Sequence, residues 1–136
     1  MATLNPYLSF EGRCREAMQF YASCLGGDLK IMTVGESAVA ASIPKEMQAS
    51  VMHARLETGN LILMASDVLD SEKLIRGNAT NLMLLCESEE EIRTLFDKLS
   101  AGGTVNAPVK VEFWGAVYGD LTDKFGVRWM LNYEKQ

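Results

Sequence analysis

Several residue types are scarce, and each scarcity excludes something. Cysteine occurs three times, at Cys14, Cys24 and Cys86. The number is odd and no CxxC pair exists, so neither a disulfide framework nor a zinc ribbon is expected. Small buried apolar roles fit these thiols better than nucleophilic or metal-binding ones. Histidine occurs once, at His53, which makes it the only side chain with an ordinary pKa near neutrality. Basic charge is also short. Thirteen Lys and Arg face eighteen Asp and Glu, net −5, and no basic stripe suggests a nucleic acid partner. Long apolar runs are missing, so no membrane span is expected. Met1-Ala2-Thr3-Leu4 has neither the basic start nor the apolar stretch of a signal peptide, and a cytoplasmic location follows as the expectation.

What is present is a core-forming composition, 48% hydrophobic over 136 residues, enough for one domain. A segment occurs twice. Residues 5–27 read NPYLSFEGRCREAMQFYASCLGG, and residues 81–103 read NLMLLCESEEEIRTLFDKLSAGG. Laid together without a gap, they match Asn5 with Asn81, Leu8 with Leu84, Glu11 with Glu87, Phe20 with Phe96, and Gly26-Gly27 with Gly102-Gly103. Each copy reads as a strand, a helix and a glycine stop.

The first copy places a strand over Leu4 to Phe10 and a helix over Cys14 to Leu25. Strands follow at Leu29 to Val34, Val51 to Glu57 and Leu61 to Ala65, the last apolar throughout and so buried on both faces. Thr58-Gly59-Asn60 is a hairpin turn. Residues 35–50 are a long stretch rich in small residues, either a functional lid or a floppy loop. In the second copy a strand spans Asn81 to Cys86. Ser88 and Glu91 form a capping box for a helix over Glu89 to Ser100. Strands then span Val105 to Phe113, Ala116 to Leu121 and Val127 to Tyr133, with Gly115, Gly119 and Gly126 as turn residues.

The whole is one domain over 1–136, of α+β class. Tandem βαβββ units at 3–66 and 79–134 are joined by a polar linker at 67–78. One helix per four strands covers only one face of each sheet. The helices therefore lie on the outer faces of curved mixed sheets, whose other faces close around a cavity. The two halves, or two chains, complete each other.

This twofold order, with FYASCLGG in the first half and DKFGVRWMLNYE at the end, resembles the vicinal oxygen chelate superfamily. That group contains glyoxalase I, extradiol dioxygenases and bleomycin-resistance proteins. PYLSFEGRCREAMQFY, VMHARLETGNLILMASD and FWGAVYGDLTDKFGVRW look like its PhnB-like subgroup, once labelled as ubiquinone methyltransferases. Lys124 stands where the subgroup usually has Pro, and Val127 where His is common. The resemblance implies a glyoxalase-like fold, frequent homodimers and, in the enzymes, a divalent metal. Its metal positions carry over to Asn5 (or, one residue on, Pro6), Leu63, Asn81 and Met130. These offer neither carboxylate nor imidazole and suit hard divalent ions poorly. No metal and no cofactor are expected.

In that register strand parity gives the cavity-facing set as Asn5, Tyr7, Ser9, His53, Arg55, Leu63, Asn81, Met83, Arg128 and Met130, with Trp114 and Tyr118 at the mouth. An apolar floor with a few hydrogen-bonding groups is the makeup of a small-molecule site. Arg55 and Arg128 are either bidentate anion holders or partners in surface ion pairs. His53 is the one candidate catalytic residue. It is either a general base, worth about 10²–10⁴ in rate, or a structural histidine bonded to a backbone carbonyl or to Glu57. Trp129 shares a face with Val127, Leu131 and Tyr133 and belongs to the core. The reading is a homodimeric, metal-free binder of a small, largely apolar molecule. The alternative is a metal-dependent lyase or oxidoreductase of glyoxalase or dioxygenase type, with ligands moved to His53 and Glu36 or Glu112. A cofactor-free lyase or isomerase using His53 alone is a third.

Overall fold

The structure, a computed structural model, describes residues 1–69 and 73–135. The chain forms two compact units, Met1–Ile75 and Arg76–Gln136. Their boundary falls inside the expected 67–78 linker, of which residues 70–72 lie outside the described part.

Unit 1 runs β1 (Tyr7–Phe10), α1 (Cys14–Leu25), β2 (Asp28–Thr33), β3 (Val51–Glu57) and β4 (Ile62–Asp67). Unit 2 repeats the order with β5 (Leu82–Leu85), α2 (Glu89–Ser100), β6 (Thr104–Val111), β7 (Ala116–Thr122) and β8 (Arg128–Glu134). The sheets are ordered β1-β4-β3-β2 and β5-β8-β7-β6. In each, the first strand pairs parallel with the last and the other neighbours are antiparallel. Both sheets are therefore mixed, as the α+β reading requires. No helix among the described residues is long and apolar enough to cross a membrane.

Each helix covers one face of its own sheet, because each carries one apolar stripe. In α1 the stripe is Cys14, Ala17, Met18, Tyr21 and Cys24. In α2 it is Ile92, Phe96 and Leu99. The chain leaves α1 through Gly26, at φ 76°, whose N–H reaches Ala22 O at 2.8 Å. At its start α1 has no side-chain cap of its own. Instead the buried Asp67 accepts from Cys14 N at 3.0 Å and from Val51 N at 2.9 Å, tying the helix to the first residue of β3. The start of α2 is local: Ser88 Oγ accepts from Glu91 N at 3.0 Å, and Glu91 returns a bond to the N–H of Glu87, one residue before the expected partner.

Three expectations are corrected here. The strand at 61–65 is not buried on both faces: along β4, Leu63, Ala65 and Asp67 are buried while Ile62, Met64 and Ser66 are half-buried. Residues 35–50 are not a stretch without structure of its own. The 3-10 turns Val34–Glu36, Ala40–Ser42 and Lys45–Met47 fill the stretch, which is closed by Val34 N to Ser50 O and Gly35 N to Gln48 O, both 2.8 Å. Gly119 is not a turn residue but sits inside β7.

At Gly119 an added Cβ would lie 2.8 Å from Val109 Cγ2 and 2.9 Å from Phe96 Cε2. The approach follows from a bulged β6, whose register slips between Val105 and Ala107 and again before Lys110, around Pro108. Gly119→Ala is expected to cost about 1–3 kcal/mol in urea unfolding, as overpacking does. Gly59→Ala, with nothing within 4 Å of the new methyl, is the control and should change stability by less than about 0.5 kcal/mol.

Candidate functional site

The helices leave the second face of each sheet open, and strand register assigns that face row by row. In unit 1 one row is Tyr7, Met64, Arg55 and Lys30, and the next holds Ser9 and Ser66 with His53 and Met32. Tyr7 is 49% exposed and Met32 41%. The Tyr7 and His53 rings lie 6.1 Å apart, tilted by 35°. Arg55 is engaged on its own strand, its guanidinium 3.0 Å from Glu57 Oε1. That is the surface ion pair rather than a free anion holder. Asn5 precedes β1, half-buried, and the following Pro6 O accepts from Met64 N at 3.2 Å.

Leu63 does not belong to this face. It pairs with Leu56 under α1 and is 2% exposed. The strand's phase is one residue off the expected one, and Met64 takes the position instead. Its counterpart in unit 2, Met130, is where parity put it.

In unit 2 the middle row is Met83, Met130 and Asp120; beside it lies the row Leu85, Asn132 and Tyr118. On the other side, Arg128 stands opposite Thr122 and donates from Nε to Asn81 Oδ1 at 3.2 Å. The Tyr118 hydroxyl donates to Asp120 Oδ2 at 2.9 Å. Burial, and then that bond, push the Tyr118 phenol up to about 12, so it remains a donor at ordinary pH. Met83 is half-exposed. Leu85, Cys86, Glu87, Asn132, Tyr133 and Glu134 border an open cavity of about 600 Å³.

Trp114 stands on the β6–β7 turn, 57% exposed, its ring edge-on to the fully exposed Phe113 at 5.0 Å. Trp129 is buried and donates its indole N–H to Asp123 Oδ2 at 2.8 Å. Within unit 1 the expected residues Tyr7, Ser9, His53 and Arg55 share the open face. Within unit 2, Met83, Tyr118, Arg128 and Met130 do, with Asn81 joined to Arg128. The sequence reading missed Met64, Asp120, Leu85 and Asn132.

The thiols offer no nucleophile. All three are buried and none is in a disulfide. Burial, with Asp67 adding to it, raises Cys14 to about 12, and burial with Glu91 raises Cys86 to about 11.

The residues do not fit a hard divalent ion either. No three His, Cys, Asp or Glu side chains converge among the described residues. At the implied positions stand two amides and, with Met64 replacing Leu63, two thioethers. Of the relocated ligands, Glu36 is spent locally. It accepts from Thr33 N at 3.0 Å and from the Thr33 hydroxyl at 2.8 Å, bonds that hold its carboxyl below the usual range.

Two βαβββ units, each with one helix-covered sheet face, define a glyoxalase-like fold, shared at TM-score 0.60 and 19% identity with a glyoxalase/bleomycin resistance protein/dioxygenase from Nocardioides, over 100% of this chain and 86% of that one. Within that class the chain belongs to the family described as 3-demethylubiquinone-9 3-methyltransferase, whose model matches residues 2–132. It is 35% identical to Protein YjdN of Escherichia coli (strain K12), over 98% of this chain and 96% of that one. The structure is similar to protein PA1353 from Pseudomonas aeruginosa, with TM-score 0.88, 38% identity and full coverage of both chains. It is also similar to a protein from Bacillus cereus described as a putative 3-demethylubiquinone-9 3-methyltransferase, PhnB protein, with TM-score 0.77, 29% identity and coverage of 97% and 99%.

The family's description names a methyl transferase, whose usual donor is a nucleoside sulfonium. Dinucleotide and nucleoside sites of α/β proteins use a glycine-rich turn after a parallel strand. The strand-to-helix junctions here are 11–13 (Glu-Gly-Arg) and 86–88 (Cys-Glu-Ser), and neither is glycine-rich. Neither junction therefore offers a donor site of that kind.

Proposed function

We propose that the protein binds a small, largely apolar molecule on the open faces of its sheets, without a metal, and acts as a cytoplasmic homodimer. One observation carries the reading. Each open face keeps methionine at its middle, Met64 between Tyr7 and Arg55 in unit 1 and Met83 in register with Met130 in unit 2, beside a few hydrogen-bonding groups. Exposed apolar side chains clustered with polar ones mark binding surfaces. Methionine suits such a surface because its unbranched thioether adapts to varied shapes. His53 is a hydrogen-bonding group of the unit 1 face in this reading.

A neutral fluorescent probe, N-phenyl-1-naphthylamine, tests it. Probe emission should rise saturably, and Met64→Glu and Met130→Glu should each weaken binding about tenfold, roughly the cost of burying a charge's neighbourhood in place of a thioether. Sedimentation should give a species near twice the 15.0 kDa chain. Unchanged probe affinity in both variants, or one tightly held divalent ion per chain by elemental analysis, overturns the reading.

A further inference from the structure

Asp120 is out of place for a solvated surface charge. Aspartate is depleted in strands, and this one is half-buried on β7, an inner strand between β6 and β8. Its neighbour in register is Met130, with Met83 on the next strand. A carboxylate has about four acceptor sites. Among the described residues its one side-chain donor is Tyr118, at Oδ2. Two cations face the same surface. Arg128, one row away, gives its Nε to Asn81, and Lys110 lies opposite Tyr118 on β6. Neither forms an ion pair with Asp120 among the described residues.

The duplicated half sharpens the contrast. Arg55 stands opposite Met64 as Asp120 stands opposite Met130. The methionine is common to both copies and the charge beside it is inverted. In unit 1 that charge is closed by Glu57, an ion of opposite sign. In unit 2 it is held by a neutral phenol, which fixes the carboxylate's direction without cancelling its charge.

We propose that Asp120 makes the open face of unit 2 a site for an organic cation with an apolar body. An ammonium or amidinium head bonds Asp120, and the hydrocarbon part lies over Met83 and Met130 toward the cavity bordered by Leu85 and Asn132. Glu87 and Glu134, which also border that cavity, add to the negative field. An ion pair formed on a partly desolvated face discriminates by charge more sharply than one in open water. The Tyr118 phenol stays protonated across ordinary pH and keeps donating to Asp120.

The inference rests on the binding reading above and deepens it. The test compares hexylamine, hexan-1-ol and hexanoate, equal in apolar length, by amide chemical-shift titration of the full chain. Hexylamine should bind about tenfold more tightly than hexan-1-ol, with shifts centred on Met83, Asp120 and Met130, and hexanoate should bind most weakly. In Asp120→Asn, whose amide oxygen still accepts from Tyr118, the amine should fall to the alcohol's affinity while the alcohol holds within about twofold. Equal binding of amine and alcohol in the unmodified protein, or an amine advantage that survives Asp120→Asn, overturns the inference and leaves apolar binding standing. No shift on this face from any of the three overturns both.

Discussion

Asp123→Ala is expected to lower the stability of unit 2 by about 3–5 kcal/mol, the effect of leaving several buried donors without an acceptor. The carboxylate is 3% exposed and serves three donors at once. Oδ1 accepts from Phe125 N at 2.8 Å and from Val127 N at 3.1 Å. Oδ2 accepts the Trp129 indole N–H at 2.8 Å. Alanine takes the shared acceptor from all three bonds, of which those of Val127 N and the Trp129 indole are buried and that of Phe125 N is half-buried, and each buried bond lost costs about 1–3 kcal/mol, partly relieved where water enters. The midpoint of thermal unfolding should fall by about 10–15 °C for a chain of this size. Asp123→Asn separates the two oxygens' roles. Asparagine keeps an acceptor for the turn but sets an N–H against the indole N–H, so about half the loss should remain. Urea unfolding followed by tryptophan fluorescence measures both. A loss under about 1 kcal/mol in the alanine variant would mean that the turn closes without the carboxylate.

The same residue shows what a sequence can and cannot say. DKFGVRW reads as a turn leading into a strand, and that turn is present. That Asp123 reaches six residues on to Trp129 depends on the hairpin being closed and does not show in composition. The repeat was legible because its marks are local. Leu8 and Leu84, the helical stripes, Ser88 with Glu91, and the glycine pairs each fix a neighbourhood without help from the rest of the chain. Those local marks were enough to give the βαβββ order, the α2 bounds and the β3 bounds.

Phase within a strand is another matter. RWMLNYE alternates, with Trp129 and Leu131 against Arg128, Met130 and Asn132, so β8 announces its two faces. Leu61 to Ala65 is apolar at every position and announces none. The repeat could not supply the missing phase. Tyr7 and Met83 are 76 residues apart, but Met64 and Met130 are 66 apart, because the three turns between β2 and β3 lengthen the first unit. Only the pairing of Tyr7 with Met64 settles which residue faces outward. Asp120 escaped notice for a related reason: a lone acid in a strand reads as solvated until its row partners, Met130 and the Tyr118 hydroxyl, are known.

That one-residue phase has a large consequence at 63 and 64. Leu63→Asp should prevent cooperative folding of unit 1, while Met64→Asp should cost less than about 1 kcal/mol. Leu63 is 2% exposed, beneath α1 and beside Leu56 and Ala65. An unpaired carboxylate there has no donor to receive it, and burying the ion without one costs several kcal/mol even if it takes up a proton. That exceeds what a unit of this size can spare. At Met64 the same side chain would reach the open face, near the Arg55 guanidinium across the strand and the Ser66 hydroxyl along it. Circular dichroism with urea titration separates the two cases in one experiment. If Met64→Asp unfolded the protein and Leu63→Asp did not, β4 would have the phase that the family resemblance implied. Met64 would then leave the open face, and the correspondence between Met64 and Met130, on which the two faces were matched, would fail with it.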